Sequence, residues 1–254
     1  CNVVSKSAPL SWYKGETLIG ALTNLFFEDK YSDLLRLPVQ WVNRPNSDFR
    51  GYSGTLVGGS LKVGDEVVVA RSQEKTIIKK ILGSNGFSET CKAGEAVTVC
   101  LGNELDISRG DMLVHPHDQP TIADQFAAHI IWFDQDPMHP GRQYIIKLAT
   151  ESGNVTISEV SHVLDINSNK QLAGKKLEIN EVGFCKLKVD RDIAFDPFAN
   201  NQQTGSFILI DRYSNATVGA GVIKFALQRA TNVKWHKMKV DQKARAAKLQ
   251  QTPS

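Results

Sequence analysis

From residue 37 onward the apolar positions fall in short runs that suit strands, not helices. LPVQWVN (37–43), YSGTLVGG (52–59), DEVVVA (65–70), KTIIKKIL (75–82), EAVTVCL (95–101) and DMLVH (111–115) are each rich in β-branched residues. Turn formers separate them: Arg44-Pro45-Asn46, Val63-Gly64-Asp65, Ser84-Asn85-Gly86, Ala93-Gly94-Glu95 and Arg109-Gly110-Asp111. Short strands at this spacing predict a sandwich or barrel. Pro116, Asp118 and Pro120 then interrupt the pattern and mark a boundary.

A second β series follows: QFAAHIIWF (125–133), QYIIKLAT (143–150), VTISEVSHVLDI (155–166), GFCKLKVD (183–190), SFILIDR (206–212) and TVGAGVIKFAL (217–227). No helical periods alternate with these strands, which disfavours a parallel βαβ sheet. Near the start, WYKGETLIGALTNLF (12–26) places Leu18, Leu22 and Leu25 at helical spacing and predicts a helix with an apolar packing stripe. The segment DQKARAAKLQQ (241–251) has helix formers but little to bury, and reads as a linker.

With 254 residues, 41% of them hydrophobic, the chain has enough apolar side chains for a core. The net charge of +3 is unevenly spread. From Arg229 onward seven basic residues face one acid, a surplus of +6 that leaves residues 1–228 at −3. A mildly acidic body argues against a phosphate-tracking groove, so no nucleic-acid partner is expected. No apolar run approaches the roughly 20 residues of a membrane helix, and no membrane partner is expected. Cys1, Cys91, Cys100 and Cys185 have neither zinc-knuckle nor disulfide-framework spacing. Buried free thiols in a reducing cytoplasm account for them. The first residues lack the charged and apolar regions of a signal peptide and do not begin with Met, which suggests a fragment or a processed chain.

The chain contains no G-x-x-x-x-G-K-[ST] string, whose backbone N–H groups and Lys would cradle phosphates. Val57-Gly58-Gly59-Ser60 and Val218-Gly219-Ala220-Gly221 sit beside strands, where tight turns or close strand packing explain them. No G-x-S-x-G elbow is present. His115, His117 and Asp118 offer two imidazoles and a carboxylate, but no further fixed ligand can be named to complete a set, so no metal site is assigned. His129 and His162 fall in strands, where a hydrogen-bonded structural histidine is the default. His139 lies in a loop. The most informative loop is Asn43–Gly51, with Arg44, Phe49 and Arg50. Two readings stand for it. Arg44 and Arg50 hold an acidic partner with Phe49 as anchor, or Asp48 pairs with one Arg and Phe49 packs into the end of the first barrel.

FRGYSGTLVGGSLKVGDEVVVARSQEKTIIKKIL, KAGEAVTVCL and ISRGDML resemble the second domain of translation-factor-type GTPases such as elongation factor Tu. ADQFAAHIIWF, HPGRQYIIKLA, IAFDPF, GSFILIDR and TVGAGVI resemble the third. Within that group, LPVQWVNRPNSDFRGYSGT, DISRGDMLVH, DPMHPGRQY and TGSFILIDRYSNATVGAG are most similar to the large, GTP-binding subunit of sulfate adenylyltransferase. NVVSKS and WYKGETLIGAL resemble the end of its GTPase domain, and RATNVKWHKMKVDQKARAAKLQQ the lead-in to adenylylsulfate kinase in fused forms.

The resemblance implies an all-β fold of two consecutive small antiparallel β-barrels, with a short N-terminal helix and a basic C-terminal linker. It divides the chain into 1–30 (end of a GTPase domain and helix), 31–118 and 119–228 (the barrels) and 229–254 (linker). It implies no catalytic residue, cofactor or metal on this segment. GTP, ATP and Mg belong to the full cytoplasmic complex, which makes adenylylsulfate from ATP and sulfate. Implied partners are the small catalytic subunit, an upstream GTPase domain and a fused adenylylsulfate kinase domain. Arg44, Phe49 and Arg50 are the candidate partner contacts. Two rival readings share the architecture: RNA-binding barrels of a translation factor, and a stand-alone binding domain whose basic tail attaches to nucleic acid or membrane.

Overall fold

The computed structural model describes residues 2–25, 32–46, 49–165, 168 and 170–227. The chain forms two compact units, Cys1–Tyr31 and Ser32–Ser254. The basic linker lies outside the described residues.

In the first unit a 3-10 turn at Ala8–Leu10 precedes α1 (Leu18–Thr23). The expected helix over 12–26 is cut to six residues by its ends. Thr17 is extended, and its side chain accepts the Gly20 N–H at 3.1 Å, so the helix starts there; Asn24 caps the other end. The leucine stripe is uncovered: Leu18, Leu22 and Leu25 are all exposed.

In the second unit, the first barrel region comprises β1 (Arg36–Pro38), β2 (Trp41–Asn46), β3 (Phe49–Thr55), β4 (Ser60–Lys62), β5 (Glu66–Val69), β6 (Lys75–Gly83), β7 (Gly86–Ser88), β8 (Thr90–Lys92), β9 (Ala96–Leu101) and β10 (Met112–Val114). The main sheet runs β1-β10-β5-β6-β9-β3-β2 with β7 on β6, and β4 and β8 form a separate two-stranded sheet. The edge strands β1 and β2 are consecutive halves of one segment. Between them Val39 donates to the Asp111 carbonyl and Gln40 to the Ser53 carbonyl, both at 2.8 Å. The sheet therefore closes through the chain itself into a barrel around Leu37, Tyr52, Val67, Ile78, Val99 and Leu113. Residues 44–46, expected in a turn, continue β2 as an exposed hairpin arm.

The second barrel comprises β11 (Thr121–Trp132), β12 (Gln143–Leu148), β13 (Glu151–Asp165), β14 (Lys170–Leu172), β15 (Val182–Phe195), β16 (Ser206–Ile210) and β17 (Thr217–Ala226). Six strands run β12-β16-β17-β11-β15-β13, and β12 pairs with β13 to close the ring. All pairings in these strands are antiparallel. Phe126, Trp132, Tyr144, Leu187 and Phe207 fill the interior. Gly221 is required because a Cβ there would strike the Phe207 ring, which bears out close packing as the reason for that glycine run.

A buried ion pair joins the two barrels. Arg36 Nε and Nη2 donate to the two carboxylate oxygens of Asp196 at 2.8 and 2.9 Å. Arg36 Nη1 donates to the carbonyls of Leu35 and Asp118, and Thr204 Oγ1 to Asp196 Oδ2 at 2.7 Å. Asn201 Nδ2 donates to the Val57 carbonyl at 3.0 Å. Nearby, Val68, Ala70, Met112 and Val114 form a small apolar cluster packed against Ala194. Arg71 and Arg191 both pair with Glu151. The Glu151 carboxyl is held above its usual range by desolvation, against the pull of the two arginines.

One turn recurs four times. In 62–65, 92–95, 108–111 and 178–181 the fourth residue's N–H donates to the first residue's carbonyl at 3.1–3.2 Å. The carboxylate of Asp65, Glu95, Asp111 or Glu181 in return accepts the first residue's N–H at 2.8–2.9 Å. The third residue is left-handed: Gly64, Gly94, Gly110 and, in the last case, Asn180 with φ 63°. The K-V-G-D, K-A-G-E and S-R-G-D strings are thus structural punctuation.

Three substitutions test these contacts. Arg36→Ala strands Asp196 as a buried, unpaired carboxylate and should lower unfolding free energy by about 3–5 kcal/mol in chemical denaturation. Gly64→Ala should cost about 1 kcal/mol through its left-handed backbone alone, since a Cβ there meets nothing within 4 Å. Asn180→Gly should stabilise, read by the same measurement.

Candidate functional site

The β2–β3 hairpin runs beside β9, and β9 beside β6. In β6 a register shift between Ile78 and Lys80 breaks the two-residue alternation. Lys79 and Lys80 are consequently both exposed, and Ile81 returns to the core. Side chains of β3, β6 and the chain after β9 enclose a cleft of about 240 Å³. Phe49, Arg50, Lys79, Lys80, Asn103 and Glu104 line it, with Tyr52 beneath.

Tyr52 is buried, and its hydroxyl donates to the Leu105 carbonyl at 3.2 Å. Burial pushes its phenol up, while the Arg50 cation pulls the other way. The Arg50 guanidinium carbon lies 5.6 Å from the Tyr52 ring centroid, within cation–π range. Among the described residues, the buried Arg50 Nε has no hydrogen-bond acceptor. A buried donor without an acceptor is costly, and an incoming carboxylate or other anion would relieve it. Lys80 Nζ sits 5.6 Å from the exposed Phe87 ring. Among the described residues that line the cleft, three cations (Arg50, Lys79 and Lys80) stand against the single carboxylate of Glu104.

Of the three residues expected to meet a partner, Phe49 and Arg50 share this cleft and are half-buried, while Arg44 is exposed on β2 and is not among its lining residues. Asp48, the proposed internal partner, lies outside the described residues. The stretch expected as a loop over 43–51 is instead a hairpin whose arms are strands up to Asn46 and from Phe49. Tyr52, Lys79, Lys80 and Glu104 were not anticipated. The signal available for the lysines was the K-K pair in KTIIKKIL, which cannot alternate without a bulge.

The other candidates behave differently. His115 and His117 are exposed, with ring centroids 5.5 Å apart. His115 Nδ1 accepts the His117 N–H and lies 3.9 Å from Asp118. Among the described residues no group of three or more His, Cys, Asp or Glu could hold a metal ion. Cys91, Cys100 and Cys185 are free and buried, as expected; Cys1 lies outside the described residues. Burial pushes the Cys185 thiol up to about 12 and the Cys91 thiol to about 11, so neither is a thiolate nucleophile near neutrality. No helix among the described residues is long and apolar enough to cross a membrane.

Two antiparallel barrels held as one unit define a class. Residues 125–224 match the family model described as GTP-eEF1A C-terminal domain-like. The fold resembles the crystal structure of sup35 complexed with GDP, with a TM-score of 0.72 and 18% identity, over 90% of this chain and 57% of that one. At that identity the likeness concerns the fold: translation-factor-type tandem barrels.

The sequence relatives are more particular. The chain is 46% identical over all 254 residues to the bifunctional enzyme NodQ of Rhizobium meliloti (strain 1021), covering 40% of that protein. It is 41% identical over 253 residues to the bifunctional enzyme CysN/CysC of Xylella fastidiosa, covering 99% of this chain and 41% of that protein. Sulfate adenylyltransferase subunit 1 of Aeromonas salmonicida is 43% identical over 223 residues, 87% of this chain and 47% of the relative. The chain is homologous to a part of each of these proteins, over 100% and 99% of its own length for NodQ and CysN/CysC and 87% for sulfate adenylyltransferase subunit 1, and it spans less than half the length of any of them.

Arg50→Met keeps the aliphatic stem over Tyr52 and removes the unpaired donor. Thermal stability should hold or rise, and the Tyr52 phenol should titrate at still higher pH once the cation is gone, read by absorbance at alkaline pH. A drop in stability would mark Arg50 as part of an internal ion pair.

Proposed function

We propose that this chain is the two-barrel portion of the large subunit of a GTP-dependent sulfate adenylyltransferase and has no catalytic role of its own. The similarity to NodQ over all 254 residues carries the reading. In the parent, a cytoplasmic complex, ATP and sulfate become adenylylsulfate and pyrophosphate, with GTP hydrolysis driving the unfavourable step. GTP and Mg are held by an upstream GTPase domain, and adenylyl transfer takes place on the small catalytic subunit. The domain boundaries proposed for the barrels are 31–118 and 119–228.

The barrels' work is mechanical: they hold the GTPase domain against the small subunit and respond to its nucleotide state. A switch of that kind needs contacts that differ between states, displayed on a body that moves as one piece. The inter-barrel ion pair supports such a body. The bifunctional relatives align with 254 and 253 residues of this chain, against 223 for subunit 1. That difference supports a parent in which a kinase domain follows the basic linker 229–254.

Phe49 and Arg50 in the cleft, and Arg44 on the neighbouring strand, are the proposed contacts with the small subunit, through a carboxylate that meets the Arg50 Nε donor, which has no acceptor among the described residues. Replacing Arg44, Phe49 and Arg50 together by Ala in the full-length parent should weaken capture of the purified small subunit at least tenfold, with the circular dichroism unchanged. Unchanged affinity would remove these residues from the interface.

A further inference from the structure

The outer wall of a closed barrel with a filled interior faces water and is ordinarily polar along each strand. The second barrel departs from this on one side. In register across the sheet, His162 on β13 stands opposite Phe184 on β15, which stands opposite His129 on β11, opposite Val222 on β17, opposite Ser206 on β16. Two residues along, the next row reads Leu164, Val182, Ile131, Ala220, Ile208 and Lys147 across six strands. Ile131 and Ile208 are each 37% exposed, and Phe225 at the border 48%.

From these rows His129, Val222, Ile131, Val182, Ile208 and Lys147 line a shallow groove of about 590 Å³, and His162 and Phe184 lie in the same sheet row as His129. The histidines were expected to be hydrogen-bonded structural residues; instead both rings pack on Phe184, at centroid distances of 5.0 and 5.4 Å. Phe225 lies 6.1 Å from the same ring. A contiguous apolar and aromatic face of this kind marks an interaction surface.

Charge narrows the occupant. Lys147 lines the groove, and burial disfavours protonation of His129, to which the neighbouring His162 and Lys224 add. Lys186 is occupied by Glu159 at the border. Among the described residues, the charged side chains lining or bordering the groove without an ion-pair partner, Lys147 and Lys224, are of one sign. A second copy of this chain would bring the same cations against them, which disfavours self-association. The aliphatic row of Val182, Ile131, Ala220 and Ile208 offers a nucleic acid nothing to pair with, but it suits the apolar core of a protein interface. We propose that this outer face of the second barrel docks a separate polypeptide whose apolar side chains are flanked by Asp or Glu carboxylates. This surface is distinct from the Phe49–Arg50 cleft and does not rest on its assignment.

Three fluorescein-labelled probes test it against the full chain by anisotropy: a 12-residue peptide with a Leu/Phe centre and Glu flanks, the same centre with Lys flanks, and a 12-nucleotide single-stranded RNA. The Glu-flanked peptide should bind saturably and at least tenfold more tightly than the Lys-flanked one. Ile131→Glu with Val222→Glu, both outward-facing and checked for folding by circular dichroism, should abolish that binding. Lys147→Glu with Lys224→Glu leaves the apolar rows intact and should reverse the peptide preference. The proposal is overturned by equal binding of both peptides, by no binding of the Glu-flanked one, by insensitivity to either double variant, or by preferential binding of the RNA. A concentration-dependent dimer in sedimentation, lost on Ile131→Glu, would overturn it in favour of self-association.

Discussion

The Arg36–Asp196 pair is the constraint on which the relation of the two barrels rests. Both groups are nearly inaccessible, with side-chain exposures of 1% and 5%. Burying two charges is worthwhile only when geometry and secondary hydrogen bonds satisfy both. Here the guanidinium meets both carboxylate oxygens and two carbonyls, and Thr204 adds a further donor to the carboxylate. Such a pair gains little over apolar residues in raw stability, but it tolerates one geometry only. An apolar contact can slide; a bidentate pair with its remaining donors engaged cannot.

That rigidity gives the surfaces their meaning. The basic cleft beside β3 and the apolar outer wall around Phe184 belong to different barrels, yet both are carried on the single unit Ser32–Ser254. A body displaying two chemically distinct faces at a fixed spacing can serve as a connector in an assembly. Three buried thiols and motif glycines and acids engaged in turns agree with that view.

The all-β nature, the two series and most strands were legible in the chain, because β-branched runs bounded by Gly and Asp turns carry a local signal. What escaped was non-local. The three-residue strands β4, β7, β8 and β14 are too short to show a period and exist only through their partners. The helix was overextended because a leucine spacing says nothing about where Thr17 and Asn24 cap it. Phe49 and Arg50 were legible as an unusual pair, but the lysines that complete their cleft come from β6, brought in through β9. The Phe184 platform was hidden because His162, Phe184, His129 and Phe225 are scattered over 97 positions of sequence.

The ring of the second barrel has a consequence for the order of events on the ribosome. β11 must find β15 and β17, and its last partner ends at Ala226. Arg36 emerges 160 residues before Asp196. The first barrel's strands are complete by Val114 and can pair while synthesis continues, but the arginine that locks the two barrels together has no carboxylate until the nascent chain has passed residue 196. During that interval a charged side chain destined for the interior has to wait in water, so assembly of the unit runs from the amino end and is sealed only near its close.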